Sequence, residues 1–251
     1  MSHTQPSTGP PAAPAWQLEF ARLIAFPADP ALSLKQHWWK ELVTVQPDDY
    51  TLIQRKDSYI ERGTFQEVGL CLTIDQHHIE WLIEPLGKID EADGRLPIIG
   101  PYRDKILLFT RSMLSWLAKA PPLRRIAFAG KLLRPAGTQE EAYRVLERLL
   151  PSVKLIPRPN DFLYHVNRRR DSRIVNGLQV NRMSTWSKMN VLFSVPPGVP
   201  FTWPDKCYST VQLDINTAPE KAEVLPDKTL PQLFEELVDL GLEIAERGDI
   251  E

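Results

Sequence analysis

The sequence contains very little cysteine and less glycine than proline. Its only two cysteines, Cys71 and Cys207, lie in or beside apolar strand candidates. We therefore expect reduced core residues in a cytoplasmic protein, with a disulfide between them as the alternative. The chain has 12 glycines against 23 prolines, and this shortage argues against a nucleotide cradle built from backbone N–H groups. The prolines cluster between the predicted helices and strands.

Long apolar runs and targeting signals are also absent. No run approaches the ~18 residues that a membrane-spanning helix needs, so we expect no membrane association. The first fifteen residues are rich in Pro, Ser, Thr and Ala and contain neither Lys nor Arg. They lack the basic start and apolar core of a signal peptide, and they cannot bury apolar area. Residues 1–15 are therefore predicted to form a disordered tail.

Motifs that mark common enzymes and cofactor sites are missing as well. The sequence has no phosphate loop, no dinucleotide-binding glycine motif and no nucleophile elbow. His77 and His78 form the only histidine pair, with Asp75 close by. A metal site usually needs three or four ligands from separate positions, and no second cluster is present. We therefore predict neither a cofactor nor a metal ion, and we favour a role other than catalysis.

The sequence does contain the composition of a folded globular protein. Hydrophobic residues make up 43% and charged residues 25% of the 251 residues, so a sizeable core can form in one large domain or in two small ones that share a core. The net charge of −2 argues against a general nucleic-acid coat, although a local basic patch is compatible with it.

The predicted elements follow one order in both halves of the chain. In the first half, a strand candidate at residues 16–26 precedes a helix at residues 31–43. In the second half, a strand at residues 123–133, a Pro-Ala break and a helix at residues 138–150 occur in the same order. Each half then continues with antiparallel strands and ends in a helix.

These patterns predict an α+β fold made of two pseudo-repeats, residues 16–120 and 121–251. Each repeat would form an antiparallel sheet backed by helices, and the sheets could join edge to edge and leave one face for a partner. Alternating apolar residues on either side of residues 75–78 predict a tight hairpin. Gly241 lies inside the apolar stripe of the last helix, where it costs helix stability and therefore indicates close packing.

The strongest local charge feature is a run of arginines between residues 158 and 182. It carries six arginines against Asp161 and Asp171, and we interpret it as a strand end followed by an exposed loop. Guanidinium groups bind phosphates and carboxylates bidentately, which indicates a site for phosphate or for an acidic protein surface. Alternatively, the arginines pair with the chain's own acids, because residues 205–251 carry twelve acids against four bases. The candidate binding residues are Arg158, Arg168, Arg169, Arg170, Arg173 and Arg182.

A late strand offers a second candidate for chemistry. Asp214 and Asn216 lie near its end, where polar side chains often serve functional sites. With Glu80 or Glu84, Asp214 could supply the paired carboxylates of an acid–base catalyst. Polar faces of half-exposed strands show the same pattern, and nothing in the sequence brings these residues together.

A set of short segments carries a family resemblance. A helix ends in LSWL at residues 114–117, a strand reads LRRIAF at residues 123–128, DFL follows at residues 161–163, and VQLDIN at residues 211–216 precedes a closing amphipathic helix. In this order they resemble a sporadically distributed family of uncharacterised bacterial proteins of about this length. The family usually has a second acid where this chain has Asn216. The resemblance implies a cytoplasmic bacterial accessory protein without established catalytic residues, connected with defence or toxin-like gene neighbourhoods.

The expected function is non-enzymatic binding of another protein, through a sheet face or through the loop at residues 168–173. This expectation rests on a sheet-forming scaffold without a catalytic constellation. The alternative is a nucleic-acid-binding module that uses the arginines of residues 158–182, with Phe162, Tyr164 and Trp186 nearby as stacking partners.

Overall fold

A computed structural model describes residues 15–29, 37–53, 58–87, 96–156, 159–191, 206–220 and 223–249. The predicted tail and the first part of the helix predicted at residues 31–43 lie outside these ranges. The described helices are α1 Trp38–Leu42, α2 Tyr102–Leu117, α3 Gln139–Leu149 and α4 Leu230–Arg247. The strands are β1 Gln17–Pro27, β2 Asp49–Ile53, β3 Ser58–Phe65, β4 Val68–Ile74, β5 Ile79–Glu84, β6 Gly100–Pro101, β7 Leu123–Ala136, β8 Leu163–Asn167, β9 Arg170–Asp171, β10 Gln179–Val191 and β11 Lys206–Thr217.

All of these strands belong to a single 11-stranded sheet. Its order is β2-β3-β4-β5-β1-β7-β11-β10-β8, with β6 paired to β1 and β9 paired to β10. Every pairing is antiparallel. Among the described strands, β2 lies at one end of this order, and β8 with β9 lies at the other.

The predicted fold of two pseudo-repeats, each with its own sheet, is therefore wrong. The described part of the chain is mostly antiparallel strand, with four helices, and its strands form one sheet. The cause is the long pairing of β1 with β7, which runs from Gln17 opposite Leu133 to Pro27 opposite Leu123. A strand edge left unpaired in the middle of a chain exposes backbone N–H and C=O groups, and this pairing removes two such edges.

Local features of the strands follow the sequence in part. The hairpin at residues 75–78 is confirmed, because Ile74 pairs with Ile79 and the Asp75 N–H donates to the His78 carbonyl. The Pro-Ala break is wrong, because β7 continues through Pro135, which lies opposite Tyr208 of β11. Pairing of β7 with β1 has already ended at Leu133. Pro135 therefore lies where β7 has a partner on one side only, and there its missing N–H is tolerated.

The helices lie on one side of the sheet and bury its apolar side chains. Trp116 of α2 packs edge-on against Trp81 of β5 and Trp38 of α1, with ring centroids 6.0 and 5.7 Å away. Trp39, which the helical pattern places at the margin of the core, is buried and stacks on Trp81. None of the helices in the described ranges is long and apolar enough to cross a membrane.

Thr138 followed by Glu141 three residues later is a capping-box pattern that predicts the start of α3, and the structure confirms it. The Thr138 hydroxyl accepts the N–H of Glu141 at 3.2 Å. The Glu141 carboxylate in turn accepts the N–H of Gly137 at 2.7 Å, one residue earlier than the usual capping-box bond. Two N–H groups at the helix start thereby receive acceptors, so the helix begins here.

Gly241 confirms the close packing of α4 on the sheet. A Cβ atom at this position would lie 2.7 Å from Cε1 of Phe128 and 3.4 Å from a methyl carbon of Leu213. Both neighbours are fully buried, and the Phe128 ring also contacts the Phe234 ring edge-on. The absence of a side chain at position 241 therefore sets the distance between α4 and the centre of the sheet.

Gly241→Ala should destabilise the protein although alanine favours helix. The added methyl group overpacks the Phe128 ring, at a cost of about 1–3 kcal/mol, against a propensity gain of about 1 kcal/mol. We expect urea denaturation to show a net loss of about 1–2 kcal/mol in the free energy of unfolding. In a Phe128→Leu background the same substitution should cost less, and an equal cost in both backgrounds would contradict this packing.

Candidate functional site

Residues 168–182, which we call the arginine segment, lie beside the C-terminal helix. The segment includes β9 and the first residues of β10, and its side chains bond to carboxylates on or just after α4. As expected from the sequence, a strand ends at Asn167 and an exposed stretch follows, with Arg169, Asp171 and Arg173 at the surface. Arg182 is only 2% exposed. Arg158, the first of the six candidates, lies outside the described residues.

Asp249, just after α4, binds the start of the segment. The Arg168 guanidinium donates to both carboxylate oxygens, from Nε at 2.9 Å and from Nη2 at 3.0 Å. The Tyr164 hydroxyl donates to the same carboxylate at 2.7 Å. The Asp249 side chain is almost fully buried. The hydrogen bond from Arg168 holds the pKa of Asp249 below its usual range, and burial raises the pKa of Tyr164.

The Glu243 carboxylate of α4 lies within 4 Å of three guanidinium groups. Nη1 of Arg170 and Nη2 of Arg182 donate to Oε2 at 2.9 and 3.1 Å, and Arg247 approaches Oε1 at 3.6 Å. Burial, followed by the charge of Arg170, lowers the pKa of Arg182. Nε and Nη1 of Arg182 have no hydrogen-bond partner among the described residues. A charge this deep is stable only when paired, so Glu243 fixes Arg182 in place.

Glu236, one turn into α4, is a buried carboxylate at 4% exposure. It accepts hydrogen bonds from the Ser172 hydroxyl at 2.6 Å and from the Arg173 backbone N–H at 2.7 Å. Nε of Arg173 lies 3.4 Å from the same carboxylate. Burial of an ionised carboxylate is tolerated because three donors surround it, and the turn of the segment is thereby attached to α4.

Arg169 points to the opposite face of the sheet. Its Nε donates to the Asn181 amide oxygen at 2.7 Å, and its Nη2 donates to Glu220 at 2.6 Å. The Asn181 amide then donates to Asn216 at 3.0 Å, and Asn216 also accepts Nη2 of Arg125 at 2.9 Å. This polar ladder crosses β10, β11 and β7, and Asn216 is fully buried within it. Its donors and acceptors satisfy one another, which is what a buried polar network requires.

The arrangement matches the alternative interpretation of the arginines, pairing with the acids of the chain itself. Each of the five arginines that the structure describes has a carboxylate partner. The sequence carries a coarse signal for this pairing in the acidic excess of residues 205–251. The sequence has no signal for the individual partners Glu236, Glu243 and Asp249. Their positions along the chain show which residues share a side of α4, but not that the arginine segment packs against that side.

A cleft of about 270 Å³ lies between the arginine segment and α4. Two arginines and four acids line it, so its lining carries more negative than positive charge. A phosphate group in this cleft would face those carboxylates, and the site therefore suits an anion poorly. The lining residues are Arg170, Asp171, Arg173, Glu236, Asp239, Leu240 and Glu243.

The side of the sheet that carries none of the described helices is called the open face, and it combines exposed, half-buried and buried residues. Its centre is formed by alternate residues of β5, β1, β7 and β11. Arg22 bonds to Glu80 at 3.4 Å and lies 5.9 Å from the centre of the Phe20 ring. Arg125 lies 5.0 Å from the centre of the Phe26 ring. These cation–π contacts hold the arginines flat on the sheet, where they cover half-buried aromatic rings.

Asp214 lies on the open face but far from the carboxylates that were candidates to pair with it. It belongs to β11, whereas Glu80 and Glu84 belong to β5, and β1 and β7 lie between these strands. Three strand spacings amount to roughly 14 Å, which exceeds the roughly 5–10 Å between paired catalytic carboxylates. Asp214 instead accepts the Asn216 amide at 2.7 Å. The pairing of Asp214 with Glu80 or Glu84 that the sequence left open is therefore wrong.

The histidine pair at the β4–β5 turn serves the hairpin. The Asp75 carboxylate accepts the backbone N–H groups of His77 and His78 at 2.7 and 2.8 Å, and Nδ1 of His78 lies 3.1 Å from it. Within the described ranges, no group of three or more His, Cys, Asp or Glu side chains could hold a metal ion. Cys71 and Cys207 are both buried, and neither forms a disulfide.

Comparisons of the chain with known protein families, with curated proteins and with solved structures find no match. The family resemblance therefore stays a prediction.

Asp249→Asn should weaken the docking of the C-terminal helix. Loss of a charged hydrogen-bond acceptor for Arg168 and Tyr164 should lower the free energy of unfolding at pH 7 by about 1–3 kcal/mol. Because the folded protein lowers the pKa of Asp249, the stabilisation by wild-type Asp249 is present above the ordinary carboxyl range and is lost as the pH falls below about 4. Urea denaturation of the wild type and of Asp249→Asn, at pH 7 and below about pH 4, measures this difference in the free energy of unfolding.

Asp239→Asn is the matched control, because Asp239 is an exposed acid on the same helix. It should change stability by less than about 0.5 kcal/mol at either pH. A loss for Asp249→Asn that does not exceed that of Asp239→Asn at pH 7 would show that Asp249 is not a structural anchor.

Proposed function

We propose that the chain is a non-enzymatic protein that binds another protein with the open face of its sheet. The supporting observation is that the described helices cover one face of an 11-stranded sheet and leave the other without a helix. A sheet of this width with its described helices on one side presents a broad surface on the other side, where Gln212 is exposed and Arg22, Arg125 and Lys131 are half-buried. Rigid surfaces bind at low entropic cost.

The chemistry of the open face favours a protein as the partner. At its centre, Arg22, Arg125 and Lys131 are balanced by Glu80, Glu84 and Asp214. Half-buried aromatic rings and arginines are enriched in protein interfaces, and both occur here. A nucleic-acid surface would instead need an excess of positive charge.

The arginine segment is a weaker candidate for the binding surface. Its described guanidinium groups have carboxylate partners, and a ligand would have to displace these partners. The alternative of a nucleic-acid-binding module that uses residues 158–182 loses support for the same reason. We further propose that the protein acts in the cytoplasm, in keeping with two buried cysteines that form no disulfide. It would act there as a bacterial accessory protein connected with defence, as the family resemblance implies.

Gln212→Arg tests the open face. Gln212 is an exposed residue of β11 on this face, so a longer charged side chain should block a partner without disturbing the core. Gln232→Arg, on the exposed side of α4, is the matched control. After nuclease treatment of an extract from the native host, a partner captured by the wild type and by Gln232→Arg should be lost, at least tenfold, with Gln212→Arg. Equal capture by all three proteins would exclude the open face.

Salt dependence separates the alternative function. When a protein binds duplex DNA through phosphate contacts, a tenfold rise in salt concentration lowers the logarithm of the association constant by about 0.9 for each contact. Our proposal expects no retention on heparin at low salt. Retention that disappears steeply with salt, and that Arg169→Ala weakens, would favour the nucleic-acid alternative.

A further inference from the structure

The strand β2, residues Asp49–Ile53, forms an end of the sheet with one side unpaired. Among the described residues it pairs only with β3, from Asp49 opposite Arg62 to Ile53 opposite Ser58. The backbone groups on its outer side therefore have no neighbouring strand in the described chain. Such an edge can accept another strand in an antiparallel or parallel ladder.

Apolar side chains project from this edge on the side of the sheet that carries the helices. Tyr50 and Leu52 are 56% and 55% exposed. They lie opposite Glu61 and Tyr59 of β3, and the Tyr50 and Tyr59 rings are 6.0 Å apart. The apolar surface of the core side thus continues past the helices to the end of the sheet, where nothing in the described chain covers it.

The usual protections of an edge strand are missing from β2. Proteins prevent edge-to-edge pairing with lysine, proline, a bulge or an inward-pointing charge. Residues 49–53 read DYTLI and contain no lysine and no proline, and the pairing with β3 is regular throughout. The single charge, Asp49, lies at the first position and has Arg62 of its own chain 3.6 Å away.

We infer that two copies of this chain associate through their β2 strands into a continuous antiparallel sheet. A twofold axis at Thr51 places Tyr50 opposite Leu52 of the second copy, and Leu52 opposite Tyr50. In this register all five residues are paired, and each apolar side chain meets another on the same face. Asp49 faces Ile53 and keeps its contact with Arg62.

The sequence of β2 favours a second copy over other occupants of the edge. Its two exposed apolar residues are complementary about the central Thr51, which is the requirement of an isologous contact. At the other end of the sheet, the same construction on β8 pairs Tyr164 with Val166, but both side chains are already half-buried in their own chain and the Tyr164 hydroxyl is bound to Asp249. Pairing of β2 with β8 of another copy would be heterologous and would not close. The inference does not depend on the proposed open-face function, because it uses a different surface.

Leu52→Lys, with Leu163→Lys as control, tests the association by analytical ultracentrifugation. Leu163 is 72% exposed on β8 at the other end of the sheet. At a protein concentration of about 100 µM, the wild type and Leu163→Lys should sediment with twice the 28.7 kDa mass of the chain. Leu52→Lys should sediment with the mass of the monomer. Circular dichroism should show the same fold for all three. A monomeric wild type, or a dimeric Leu52→Lys protein, would overturn the inference.

Thr51→Cys tests the register directly. The twofold axis brings the two introduced thiols to opposite positions, about 4.5–5.5 Å apart at Cβ, which is near disulfide geometry. The native thiols are buried and should not compete. Mild oxidation should give a covalent dimer at least tenfold faster than for Thr64→Cys, an exposed residue of the next strand. Equal rates for the two variants would contradict a contact centred on Thr51.

Discussion

Pairing of buried charge is the constraint on which the second half of the structure depends. Arg182, Glu236 and Asp249 are nearly excluded from water, and an unpaired ion there would cost several kcal/mol. The arginine segment and the C-terminal helix can therefore dock only when each buried charge meets its partner. Burial of the apolar face of α4 supplies most of the favourable free energy of docking. The ion pairs determine the position along the arginine segment at which the helix packs.

This constraint also decides which surface is left for a partner. Guanidinium groups that hold the helix cannot bind phosphate or a foreign carboxylate without releasing it. The charged side chains of the open face also pair with one another, as Arg22 does with Glu80, but none of these pairs holds a helix in place. In the proposed function, the helix-covered face would supply stability and the open face would supply recognition.

How far the sequence predicts this arrangement depends on the range of the contact. The β4–β5 hairpin and the cap at Thr138 follow from residues close in sequence, and both are confirmed. Gly241 was predictable because a glycine inside an apolar stripe has a cost that packing must repay. The β1–β7 pairing was not predictable, since strand edges carry no residue code for a partner a hundred positions away. For the same reason the acidic excess of residues 205–251 predicts pairing with the arginines only as a general alternative, and the individual partners of each arginine were not predictable.

The most direct measurement of the central claim is a double-mutant cycle on Arg182 and Glu243. Arg182→Met and Glu243→Gln, alone and together, are compared by urea denaturation. If the arginine segment is held by the acids of α4, the double variant should be less destabilised than the sum of the single variants, with a coupling free energy above about 1 kcal/mol. If the changes in the free energy of unfolding add within about 0.5 kcal/mol, the arginine segment is not held by the acids of α4. The segment would then again be a candidate surface for binding a partner.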